Sequence, residues 1–338
     1  MSKYVLIFSV GFLVLAAACQ KEKSEEQEQT LEVTAYPEIN ELSQAIVANP
    51  NDANLYAQRA AMYYDVDGYD NAIADLKKAI ALDSTQVDFY HLLADSYMDY
   101  FRSRLALETM EEAAKLFPDN DYTLLKLSEF QMILTKNQES LKTIDKVLRR
   151  DPRNSEAYFM MGMNFKDMGD TIRAINSFQE AVDYNSNMVD GWLQLGNLYT
   201  AIGDKLALNY YDNAIRVAPE NIETHHAKAY YLANTLDDLD GALEIYKTIN
   251  KLDPQYEEAY YNAGLLYLDL EKPQEAHQQF DLAIKFSPTH IRAYFYRGLC
   301  NEFMGNIVAA KKDYEQALRM APDYEAAQKQ LDGLGKES

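Results

Sequence analysis

From residue 50 onward the chain repeats itself every 34 residues, and a period of that length constrains the fold more than any local propensity. Pro50, Ser84, Pro118, Pro152, Ser186, Pro254, Pro288 and Pro322 stand on one 34-residue grid that holds eight units. Pro219 arrives one residue early, because Gly203-Asp204-Lys205-Leu206-Ala207 is one residue shorter than Gly169-Asp170-Thr171-Ile172-Arg173-Ala174. The next unit, carrying Asp237-Asp238-Leu239-Asp240-Gly241-Ala242, is one residue longer and restores the register. A unit this short cannot enclose a core alone. It must bury its apolar face on its neighbours, so the expected object is a row of stacked units.

Each unit reads as two helical stripes. Tyr158, Met161, Gly162 and Phe165 recur at i, i+3, i+4 and i+7, along one face of a first helix. Gly169-Asp170 marks a turn, and Ala174, Phe178 and Ala181 follow at i, i+4 and i+7 on a second helix. The pattern returns as Tyr260, Ala263, Gly264 and Tyr267 with Ala276, Phe280 and Ala283, and as Tyr294 and Gly298 with Ala310, Tyr314 and Ala317. Small residues where the helices cross let the backbones approach, and aromatic rings fill the space between neighbouring pairs.

These positions resemble the tetratricopeptide repeat, with Trp192, Leu195, Gly196, Tyr199, Ala207, Tyr211, Ala214 and Pro219 as the fullest match. The resemblance spans residues 51–322 and implies an all-α fold, a right-handed α-solenoid of about eight helix-turn-helix repeats with a capping helix at each end. The repeats fall at about 51–84, 85–118, 119–152, 153–186, 187–219, 220–254, 255–288 and 289–322. Residues 38–48 read as a lone leading helix and 323–335 as a closing cap, so that 36–335 form one continuous array. The third unit departs from the pattern, with Ser128, Gln131 and Ser140 in place of Gly, Tyr and Ala, so its packing is the least defined by the pattern and it is expected to be a point of flexibility. In the sixth, Lys228-Ala229 stands where Leu-Gly is expected.

Residues 1–19 resemble a bacterial lipoprotein signal peptide: Lys3 is the positive start, an apolar run follows, and Ala16, Ala17 and Ala18 precede Cys19. The apolar run is shorter than the ~20 residues a bilayer span needs. The resemblance makes Cys19 the lipidated first residue of the mature chain, anchored in a cell envelope, at the outer membrane on its periplasmic face or at the cell surface. Residues 20–35 begin Gln20-Lys21-Glu22-Lys23-Ser24-Glu25-Glu26, a charged tether that cannot fold alone. Gln20 is not the Asp of an inner-membrane retention signal, and the charged start is either a solvated linker or a partial match to surface-export signals.

Composition narrows the chemistry. With 53 Asp+Glu against 32 Lys+Arg the chain carries a formal charge of −21, which excludes a polyanion such as nucleic acid as partner. Two cysteines make no disulfide framework and no paired metal site, and no metal or cofactor is expected. His225-His226 face different ways on a helix, Cys300 has no partner thiol, and Gly333-Leu334-Gly335-Lys336-Glu337-Ser338 lacks the strand that precedes a phosphate loop.

In the resembled family the first helices line a groove. The positions beside the packing stripe are Phe159, Met160 and Met163, then Leu193 and Asn197, then His226, Tyr230, Tyr261, Leu265, Leu268, Phe295 and Leu299. The first three units place Asp65, His91, Asp95, Asp99 and Glu129 there. The groove would take a protein segment that is apolar toward the C-terminal units and basic toward the N-terminal ones. The Lys/Asn set with which some members clamp a terminal carboxylate does not occur. The expected function is a non-enzymatic, membrane-anchored scaffold that binds other envelope proteins. The alternative is an enzyme or regulatory subunit acting on envelope glycan or peptidoglycan, with Asp95 and Asp99 at i, i+4 as the acids.

Overall fold

The computed structural model describes residues 35–334, so Cys19 and nearly all of the tether lie outside the described residues. Helix α1 (Pro37–Ala48) is followed by eight pairs of antiparallel helices. They are α2 (Ala53–Asp65) with α3 (Tyr69–Leu82), α4 (Val87–Asp99) with α5 (Ser103–Leu116), α6 (Asp121–Ile133) with α7 (Asn137–Arg150), and α8 (Ser155–Asp167) with α9 (Thr171–Tyr184). Then come α10 (Val189–Ala201) with α11 (Ala207–Val217), α12 (Ile222–Thr235) with α13 (Leu239–Leu252), α14 (Glu257–Asp269) with α15 (Pro273–Phe286), and α16 (Ile291–Phe303) with α17 (Ile307–Met320). Helix α18 (Glu325–Leu334) closes the series, and no strand occurs among the described residues.

Backbone contacts divide the chain into two compact units, up to Ser84 and from Thr85 onward. The first contains α1 to α3. The second is an α-solenoid, α4 to α18, in which each helix packs on the next in chain order. Within it the first helices of successive pairs also touch (α6 on α8, α10 on α12, α14 on α16), so they line the tighter side of the stack.

Each pair is locked by one small residue facing one large one. A Cβ on Gly162, Gly196, Gly264 or Gly298 would lie 2.7, 2.5, 2.7 and 2.6 Å from the ring of Phe178, Tyr211, Phe280 and Tyr314 respectively. Those rings are almost wholly buried, and burying each contributes roughly 1.5–3 kcal/mol. Where the first helix carries Ala60, Ala94 or Ser128 instead, the same place on the second helix holds Leu76, Met110 or Ile144, all buried. A ring demands glycine opposite it, and an aliphatic side chain tolerates a Cβ; only Ala229 with Tyr246 combines a methyl and a ring.

The third unit is not loosely packed. Its departures form a buried polar network: Ser128 Oγ donates to Leu125 O at 2.7 Å, and Ser140 Oγ to Ser128 O at 2.8 Å. Thr143 Oγ1 donates to Gln131 Oε1 at 2.8 Å, and Asn164 Nδ2 reaches from the fourth unit to Ser140 Oγ at 2.9 Å. The paired groups offset their own desolvation, while Asn164 Oδ1 is buried without a hydrogen-bond partner among the described residues.

The turn between the helices of each pair places one residue in the left-handed region, on the same 34-residue grid. Gly169, Gly203 and Gly305 have φ of 73–77°, but Asp67, Phe101, Thr135, Asp237 and Glu271 hold φ of 55–59° without being glycine. The amide after this residue usually donates five residues back, as Asp170 N does to Phe165 O at 2.8 Å. The register slip is absorbed at helix ends. Helix α11 starts late with i→i−3 bonds from Ala207, Leu208 and Asn209, and the extra residue of the next unit widens the last turn of α12, where Asp238 N donates to Leu232 O six residues back.

A second buried device appears in the first unit and recurs seven repeats later in the second. Arg59 donates twice to Asp75 (2.7 and 2.8 Å) and once to Ser43 Oγ (2.9 Å). Arg297 donates twice to Asp313 (3.1 and 2.6 Å) and once to Asp281 (2.7 Å), at the same grid positions. The Asp75 hydrogen bond raises the Arg59 pKa, and for Arg297 burial is outweighed by Asp313 and Asp281.

Two predictions follow from the interlock and the turn. Gly264→Ala is expected to cost about 1–3 kcal/mol by overpacking against Phe280, and in urea denaturation its combination with Phe280→Leu should cost clearly less than the two single changes summed. Thr135→Gly should stabilise by about 0.5–1 kcal/mol, the left-handed strain relieved minus the entropy of the added glycine, read as a higher urea midpoint.

Candidate functional site

The face built by the first helices of the second unit is where sequence reasoning placed partner-binding side chains. Seven of the twelve groove positions, Phe159, Met160, Met163, His226, Leu265, Leu268 and Leu299, are half-buried, and two, Asn197 and Tyr230, are exposed. Leu193, Tyr261 and Phe295 are instead buried and unavailable to a partner. The reason is geometric: this position lies directly over the large residue of the second helix. Leu193 packs with Tyr211 and Tyr231, Tyr261 lies 5.9 Å from Phe280, and Phe295 lies 5.8 Å from Tyr314, centroid to centroid. Phe159 against Phe178 (5.4 Å) and His226 against Tyr246 (5.8 Å) repeat the relation with more of the edge left open. Each interlocked ring is thus closed on the groove side by its neighbour.

Among the more accessible positions, Tyr230 is 56% exposed, while Asn197 Oδ1 accepts from the Tyr211 hydroxyl at 2.9 Å. His226 Nε2 lies 3.0 Å from Asn262 Nδ2. Burial lowers the His226 pKa in spite of Glu258.

At the N-terminal end of this face, Asp95 is 2.7 Å from Lys126 Nζ, so its charge is spent on a cation. Asp99, Glu129 and, in the first unit, Asp65 are exposed. His91 is buried with Nε2 2.9 Å from Thr123 Oγ1. Burial lowers its pKa, as does Lys126, against the opposing pull of Asp88 and Asp95.

One row escaped the sequence reading. Asp88, Glu156, Asp190, Glu223 and Glu258 sit in the first turns of α4, α8, α10, α12 and α14, one per helix, all exposed. None forms an ion pair with a Lys or Arg among the described residues; Asp88 and Glu258 lie 3.7 and 3.8 Å from His91 and His290. Beside this row, a depression of about 180 Å³ opens between α6 and α8, floored by Leu125, Phe159 and Met160 with Glu129 and Glu156 among its walls. A carboxylate recurring once per unit just after the cap was the signal that could have found the row.

The remaining sequence candidates are structural. His225 Nε2 pairs with Pro219 O at 2.8 Å, and no group of three or more metal-ligating side chains occurs among the described residues. Cys300 is fully buried, and burial pushes its thiol up to about 12, which keeps it an inert thiol. The last residues of the glycine-containing C-terminus lie outside the described residues.

A stack of helix pairs with one mixed polar and apolar face left open defines a repeat-built α-solenoid. Residues 155–188, 257–290 and 291–324 match the model of the tetratricopeptide repeat. Over 319 residues the chain is 22% identical to tetratricopeptide repeat protein 16 of Mus musculus, covering 83% of this chain and 41% of that protein. Over 273 residues it is 22% identical to the mitochondrial import receptor subunit TOM70 of Homo sapiens, covering 75% and 44%. The chain therefore spans less than two thirds of the length of these curated relatives. Among solved structures, the human IFIT1 dimer with PPP-AAAA shares the fold at a TM-score of 0.50 and 17% identity, over 83% of this chain and 68% of that one. The three matched segments are tetratricopeptide repeats, and proteins built of such repeats mediate protein–protein interaction.

The histidines give a pH prediction. A buried histidine with a lowered pKa is neutral in the fold, whereas the unfolded chain takes up a proton near pH ~6.5. The stability this contributes is present above that value and is lost as pH falls toward the lowered folded pKa. The drop in urea midpoint between pH 7.5 and 5.5 (about one unit either side of the free value) should shrink in His91→Gln.

Proposed function

We propose that this protein is a non-enzymatic scaffold that holds a segment of another protein across the face of its first helices, anchored by lipid on Cys19 in a bacterial cell envelope at the outer membrane. What carries the binding reading is that this face keeps exposed side chains the core does not use: Tyr230 and the row of five carboxylates. Partner surfaces use exposed aromatic and charged groups of this kind for affinity and steering. The family supports a protein partner in general. The anchor reading is supported by the small residues before Cys19 and the charged segment after it.

The two halves of the reading are tested separately. A photo-crosslinking residue in place of Tyr230 should yield a discrete adduct in envelope membranes. The same residue in place of Ile172, exposed on the turn of another face, should not. Equal adducts from both positions would refute the groove. In cells fed an alkyne-bearing fatty acid the intact chain should be labelled and sediment with membranes, and Cys19→Ala should lose both properties; a labelled Cys19→Ala chain would refute the anchor.

A further inference from the structure

We infer that the segment this face holds is a basic amphipathic helix, with Lys or Arg along one edge at seven-residue spacing and a large apolar residue that enters the depression between α6 and α8. The inference rests on the first-helix face being the partner site, and it specifies the partner's chemistry there.

Three observations support it. First, the row Asp88, Glu156, Asp190, Glu223 and Glu258 is exposed, stands at one equivalent position on five of the seven first helices of the second unit, and lacks a lysine or arginine partner among the described residues. First-turn carboxylates complement their own helix dipoles, but that benefit needs no shared face and no pocket. Here both are present. Tyr122 takes the place on α6, and on α16 the row ends in a charge reversal, at Arg292.

Second, the depression of about 180 Å³ has an apolar floor and two exposed carboxylates, Glu129 and Glu156, in its wall. That is enough for one large apolar side chain. The cation in the wall, Lys126, is already neutralised by Asp95 at 2.7 Å. An apolar anchor flanked by positive charges fits this wall, and one flanked by negative charges is repelled.

Third, the spacing fits a helix. First helices that touch, as α6 and α8 or α10 and α12 do, have axes about 8–10 Å apart. Seven residues of α-helix rise about 10.5 Å, so at those contacts one heptad of the partner advances by about one first helix of the scaffold. The chain's own residues 20–29, with Glu22, Glu25, Glu26 and Glu28 against Lys21 and Lys23, carry the wrong sign to fill the face. So does a second copy of a chain with charge −21.

The test uses the full-length chain in detergent and two dye-labelled helical peptides of about 21 residues, or three heptads. They share one Leu anchor and differ only in carrying Lys or Glu at each seventh position. Fluorescence anisotropy should show the Lys peptide binding about tenfold or more tightly at low salt, an advantage that fades as salt is raised. Glu156→Gln, Asp190→Asn and Glu223→Gln together should erase that preference while leaving the chain folded, with a thermal midpoint lowered only by the few degrees that losing three helix-dipole charges costs. Equal binding of both peptides, binding of neither, or a preference that survives the triple change would overturn the inference. Crosslinking of native envelope partners at position 230 is read independently. If it persists while the charge preference is absent, the face remains a partner site and only the basic helix is lost. If it too is absent, the proposed function falls with it.

Discussion

The contact on which the rest of the structure depends is the close approach of a small residue on each first helix to a large residue on the second. It sets how near the two backbones come, and that distance sets where the next pair can stack. The coupling is visible inside this one chain: Gly162, Gly196, Gly264 and Gly298 face rings, while Ala60, Ala94 and Ser128 accompany aliphatic side chains. Close-packed interiors resist a single extra methylene, so the two positions must change together. An array built this way is a series of local agreements, each enforced only by the elements next to it.

The same contact decides which side chains remain for function. The ring filling the space above each glycine needs a cover on its other side, and Leu193, Tyr261 and Phe295 supply it. Much of the apolar character on the first-helix face therefore belongs to the core. What is left outward is Tyr230 and Asn197, the half-buried edges of side chains such as Phe159, Met160, Met163, Leu265 and Leu299, and a row of carboxylates. The site is more polar than a stripe of apolar letters suggests, and its preference for a partner rests on charge as much as on burial.

The helices were legible because period and stripe repeat eight times and each copy corrects the reading of the others. Even the lone flanking helices fell where the grid placed them, at Pro37–Ala48 and Glu325–Leu334. The third unit was misjudged because substitution of Ser128, Gln131 and Ser140 removes the expected shapes, while the hydrogen bonds replacing them involve Asn164, a residue from the next unit that no single-unit pattern contains. The groove was half legible. Helical spacing identifies a position beside the packing stripe, but whether a neighbour closes over it depends on the crossing of two helices, which the sequence does not state. The acidic row was missed for a different reason: first-turn carboxylates are so common in helices that a recurring one does not stand out until the helices are aligned side by side.

The one-residue slip between α11 and α12 shows how this architecture handles change in length. A deletion is taken up by a tighter opening turn, an insertion by a wider closing turn, and the left-handed residues Gly203 and Asp237 keep their spacing between the two. Neither event reaches the buried pairs on either side. The ends of the helices act as expansion joints, so lineages of such a chain can drift in repeat length, or gain and shed whole units, while every surviving pair keeps its fit.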